Sequence, residues 1–151
     1  MSVDYNFEIR IAARGSYKLS VPDIVRNFLE NNWSLYSENN EIIYTDVGDN
    51  DNFNFLAESI SEAEYLHIVS QKEKNNEQVS FAMFRSEGNC MYRMDVIITQ
   101  EFDVLISPDD VTKRMLASNP DILDVNWYLC RILPALTNQN MSVESFSYIQ
   151  I

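Results

Sequence analysis

Two apolar-rich runs, residues 79–86 and 91–99, flank Glu87-Gly88-Asn89. No other feature limits the fold as much, because β-prone runs joined by a Gly/Asn turn close as an antiparallel hairpin. In the second run Tyr92, Met94, Val96 and Ile98 share one face, and Arg93, Asp95 and Thr99 share the other. Phe102, Val104 and Ile106 then alternate against Asp103. A three-strand meander is expected over this region.

The flanking chain supplies further elements. Tyr5, Phe7, Ile9 and Ile11 alternate with Asn6, Glu8 and Arg10, which predicts a strand with one buried face. Ser20, Pro22 and Asp23 form a capping pattern for a helix running to about residue 32, with Val21, Ile24, Val25, Phe28 and Leu29 on its apolar face. A hairpin is expected over residues 33–37 and 41–45, around Glu38-Asn39-Asn40. Residues 46–52 read as a surface loop, with Phe53, Phe55 and Leu56 tucked beneath it.

Ser61 and Glu64 match a second capping box, opening a helix that ends near Lys74. Residues 65–70 also suit a strand, but early acids and late lysines match a helix dipole. Ser107-Pro108-Asp109-Asp110 predicts a short helix to Ala117. Asn119-Pro120 then starts a longer one with a stripe of Ile122, Val125, Leu129, Ile132, Leu133 and Leu136, which Pro134 kinks or ends. Residues 143–151 read as a final strand. Adjacent strands with interspersed helices predict a single α+β domain over residues 1–151. It would have a largely antiparallel sheet and about three helices packed mainly on one face.

Charge narrows the partners. The chain carries 23 acids against 11 bases, a net charge of −12. Such a surface repels nucleic acid and anionic membrane and attracts cationic partners; acidity also serves solubility alone. Residues 31–71 hold eight acids, Glu38, Glu41, Asp46, Asp49, Asp51, Glu58, Glu62 and Glu64, and no Lys or Arg. This arc is the candidate partner-binding set, and charge reversal at Asp46, Asp49 and Asp51 is the obvious probe of it.

The opening MSVDYNFEIR lacks the pattern of a secretory signal, and no run approaches the ~18 apolar residues of a membrane span. Cys90 and Cys130 lie far apart in apolar contexts, which fits a reduced pair in a cytoplasmic protein.

Catalytic and metal signatures fail one by one. His67 is the sole histidine and reads as an ordinary helix residue. No Gly-x-Ser-x-Gly elbow is present, and Gly15, Gly48 and Gly88 are not clustered into a phosphate-binding loop. A calcium loop counted from Asp49 places Phe53 and Asn54 where an oxygen ligand and a glycine belong. Neither a cofactor nor a metal is expected. Trp127 and Tyr128 are expected to pack on the sheet, and Met83, Met91 and Met94 to fill the core.

Residues 60–84 (ISEAEYLHIVSQKEKNNEQVSFAMF) and 124–136 (DVNWYLCRILPAL), followed by VESF at 143–146, carry a family likeness. They resemble elements of the small acidic immunity proteins of bacterial polymorphic-toxin and contact-dependent inhibition systems. The resemblance implies a non-enzymatic protein that binds and neutralises a cognate, basic toxin domain, for example a nuclease. Two other classes stand beside it. One is an adaptor that uses a sheet edge, at residues 143–151 or 5–11, to pair with a peptide. The other is a carboxylate- or metal-dependent enzyme.

Overall fold

The computed structural model describes residues 5–150, so Met1–Asp4 of the opening stretch and Ile151 of the expected last strand lie outside it. The meander forms as the alternation requires. Strands β4 (Val79–Glu87) and β5 (Cys90–Ile98) pair along their whole length, and β6 (Asp103–Pro108) continues on β5. Gly88 turns the hairpin at φ +60°, a conformation that glycine adopts without a Cβ clash.

Four further strands, β1 (Phe7–Ala13), β2 (Ile42–Tyr44), β3 (Leu56–Glu58) and β7 (Met141–Tyr148), complete a seven-stranded sheet in the order β3-β2-β4-β5-β6-β1-β7. Every neighbouring pair is antiparallel. Strand β1 therefore lies between β6 and β7. The expectation that residues 5–11 offer an open edge is corrected: β7 covers the side of β1 that would have been free.

The helices lie on one face of the sheet. Helix α1 (Val21–Glu30) buries Val21, Ile24, Val25 and Phe28. Ser20 caps it by accepting the Asp23 N–H at 3.3 Å. The Asp23 carboxylate does not complete the capping box, because it accepts instead from the Tyr17 hydroxyl and from Arg26. Helix α2 (Glu62–Lys74) has the full reciprocal box between Ser61 and Glu64, so residues 65–70 are helical rather than extended. Helix α3 (Val125–Ile132) is capped by Asp124, whose carboxylate accepts the Trp127 N–H at 3.3 Å. One core cluster joins Phe81, Met83, Met94 and Val96 of the sheet to Phe28, Tyr65, Tyr128 and Ile132 of the helices. At roughly 1.5–3 kcal/mol per fully buried large apolar side chain, this layer is the main favourable contribution to folding.

Four expectations are corrected. No helix forms over residues 107–117. Ser107 and Pro108 end β6, and the Asp109 carboxylate accepts the Val111 and Thr112 N–H groups in a tight turn. The same Asp that caps a helix also closes such a turn, and here no apolar face awaits a helix. Helix α3 begins at Val125 rather than near Pro120, and Ile122 is 42% exposed outside it. Pro134 ends the element as a 3-10 turn, Pro134–Leu136.

The first limb of the 33–45 hairpin is only two isolated bridges, Ser34 to Phe84 and Tyr36 to Ile42, because Trp33 and Leu35 turn into the core. Phe55 and Leu56 do not tuck beneath the loop. They lead into β3 at the sheet edge, where both are exposed.

Candidate functional site

The acidic arc occupies one end of the sheet. The 38–41 turn leads into β2, the 46–55 loop joins β2 to β3, and β3 runs into the start of α2. Hydrogen bonds fasten these pieces together. The Tyr36 hydroxyl donates to the Ile60 carbonyl at 2.8 Å, and the Ser59 hydroxyl to the Asn40 carbonyl at 3.4 Å. The Tyr44 hydroxyl donates to the Glu58 carboxylate. Burial, then Glu58, push the Tyr44 phenol well above its ordinary range, and the charges of Asp46 and Glu64 act in the same direction.

A buried lysine organises the loop. Lys72 on α2 is fully buried, and its ammonium donates to the Asp46 carbonyl at 2.8 Å and the Asp49 carbonyl at 2.6 Å. It also pairs with Glu77 at 3.1 Å. A buried charge is tolerated only when paired and hydrogen-bonded, and these three oxygens meet that condition. Glu77 in turn accepts the Gly48 N–H at 2.9 Å. Burial alone would raise the Glu77 carboxyl, but the Gly48 N–H and Lys72 outweigh it and hold the group below its usual range. Asp49 closes the loop from inside, accepting N–H groups of Asn52, Phe53 and Asn54 at 2.9, 3.1 and 2.8 Å.

The eight acids therefore divide. Asp49 is a loop-building residue, not one directed at a partner. The carboxylates of Asp46, Glu58 and Glu64 each accept a local hydrogen bond, from the Val47 N–H, the Tyr44 hydroxyl and Ser61 respectively, while remaining exposed. Glu38, Glu41, Asp51 and Glu62 make no side-chain hydrogen bond or ion pair among the described residues. The triple reversal at Asp46, Asp49 and Asp51 is consequently a poor probe, since it would disrupt the loop itself.

The arc is also uncompensated. Among the described residues none of its acids forms an ion pair, whereas eight of the eleven bases, counted from the eight pairs, are matched with acids elsewhere. Exposed apolar groups stand among the free carboxylates: Val47, Phe55 and Leu56 are 36–41% exposed, and the Phe53 and Phe55 rings stack at 6.5 Å.

Glu38 and Glu41 overlook a groove on the sheet face away from the helices, with Ile43 and Phe84 in its floor. Lys72, Glu77 and Phe84 are the parts that sequence reasoning missed. A lysine in a last helical turn reads as a dipole partner, and only the folded loop reveals its second task.

Elsewhere the chemistry is sparse. Among the described residues no group of three or more His, Cys, Asp or Glu side chains is placed to hold a metal ion. His67 lies exposed on α2 beside Gln71, at 3.0 Å. Cys90 and Cys130 are free and exposed. Trp127 and Tyr128 pack in the core, as do Met83 and Met94, while Met91 lines the groove. No helix among the described residues is long and apolar enough to cross a membrane. Compared with family models, curated proteins and solved structures, the chain matches none.

Proposed function

We propose that this chain is a non-enzymatic neutralising protein that binds a basic toxin domain through its acidic arc. The observation that carries the reading is the charge imbalance. Among the described residues, eight carboxylates at one end of the sheet have no ion-pair partner, although eight of the eleven bases pair with acids outside the arc. Free carboxylates mixed with exposed Val47, Phe55 and Leu56 supply both steering and apolar contact. A basic substrate groove, as in a nuclease, would meet these carboxylates in place of phosphates.

Co-expression with candidate basic toxin domains, any in neighbouring genes first, tests the reading. Relief of growth arrest by the wild type, and its loss with Glu38→Lys, Glu41→Lys, Asp51→Lys and Glu62→Lys combined, is the expected result. Equal relief by the folded variant removes the arc from the mechanism.

One observation favours a second reading, an adaptor that accepts a strand on β7. This is an outer strand of the sheet, and it leaves Phe146 51% exposed. Salt-insensitive binding that maps to Met141–Tyr148 would select it.

A further inference from the structure

The sheet has a second face, away from α1, α2 and α3. Toward the 38–41 turn it hollows into a groove of about 540 Å³. Phe84, Ile43 and Ala57 provide an apolar floor from three neighbouring strands. The 109–112 turn forms the opposite wall and is fixed to β5, because the Thr112 hydroxyl accepts the Arg93 N–H at 3.0 Å. That turn holds Val111 92% exposed beside the floor.

The rim is acidic. Glu38, Glu41 and Asp109 line it with a single base, Arg93. Arg93 is already neutralised by Asp95 at 3.0 Å and lies 5.9 Å from the Phe84 ring centroid. An apolar floor beneath unpaired carboxylates suits a side chain with an aliphatic stem and a cationic head, which is the build of lysine and arginine.

We propose that this groove is the docking site for a basic amphipathic segment of the protein partner. The aliphatic parts of that segment rest on Ile43, Phe84 and Val111, and its Lys or Arg heads reach Glu38 and Glu41. The inference rests on the neutralising reading and deepens it. It adds the open sheet face to the contact surface that Val47, Phe55 and Leu56 provide.

The test uses the full chain, labelled with ¹⁵N, and a seven-residue peptide alternating lysine and leucine. Its counterpart with serine for every leucine carries the same charge. The leucine peptide is expected to shift the amides of Ile43, Phe84 and Thr112, and to bind more tightly than the serine peptide. Val111→Asn, at an exposed position that folding does not need, is expected to weaken the leucine peptide about fivefold, the loss of part of one apolar contact, and to leave the serine peptide unchanged. Equal affinity of the two peptides, shifts spread over the 46–64 region alone, or no binding at millimolar peptide would each overturn the assignment. If that happens while the four-lysine variant still fails to relieve growth arrest, the groove falls and the neutralising reading stands. If instead the peptide result holds and the four-lysine variant relieves arrest normally, the toxin reading falls and the groove remains a site for basic segments.

Discussion

At the scale of single residues, Lys72 and Glu87 show how little of a side chain's task its neighbours in sequence reveal. Lys72 sits where a helix dipole welcomes a cation, yet its ammonium is the hub of the 46–54 loop. Lys72→Met removes the donor and leaves two carbonyls and the Glu77 carboxylate without it. A loss of about 2–4 kcal/mol in urea denaturation is expected, since each buried acceptor left unmatched costs ~1–3 kcal/mol. Hydrogen exchange at Asn52, Phe53 and Asn54 should quicken as well. Unchanged exchange there would show that Asp49 alone holds the loop.

Glu87 accepts from Arg131 and Arg85, and these bonds, Arg131 first, hold its carboxyl down at about 2. A carboxyl lowered by folding stabilises the native state above its unfolded value, near 4.5, and that contribution fades as pH falls toward 2. Glu87→Gln should therefore cost about 1 kcal/mol at neutral pH and low salt, as for a partly exposed pair. The difference from wild type should shrink through the window from 4.5 to 2 in melts at stepped pH. A gap that stays constant across this window would dissociate Glu87 from the acid response.

At the scale of elements, what was readable depended on whether local chemistry had one meaning or two. The alternation in residues 79–106 has one, and the meander follows it strand for strand. Ser61 with Glu64 likewise has one, and α2 starts there. Ser61→Ala should lower stability by about 1 kcal/mol, the usual cost of a lost N-cap. A thermal melt matching wild type would mean the Glu64 half of the box suffices.

Ser107-Pro108-Asp109-Asp110 has two meanings, helix start or tight turn. Tertiary structure chose the turn, with Arg93 and Thr112 tying it to β5. Strand β3 was invisible because its three residues are all exposed and carry no alternation to read. The position of β1 between β6 and β7 was equally hidden, since strand order depends on long-range pairing that no local pattern records.

At the scale of the molecule, the sequence showed where the acids are but not which are free. The arc forms one end of the sheet, yet Asp49 is consumed inside its loop, and Glu38 and Glu41 face the open sheet face. Like charges crowded without partners repel one another, so the native state carries an electrostatic cost that salt screens within ~10 Å at 0.1 M. Raising sodium chloride from 10 to roughly 300 mM should raise the melting temperature of wild type, and raise it less for a variant neutralised at Glu38, Glu41, Asp51 and Glu62. An equal rise in both would place the repulsion elsewhere in the chain.

The central claim is that this uncompensated end of the sheet draws in a positively charged protein. Its most direct test is the association rate with a basic toxin domain whose growth arrest the wild type relieves, followed by stopped flow as ionic strength increases. The account predicts a steep fall for the wild type and a much shallower one for Glu38→Gln, Glu41→Gln, Asp51→Asn and Glu62→Gln combined. Identical slopes for the two proteins, or a wild-type rate indifferent to salt, would contradict it.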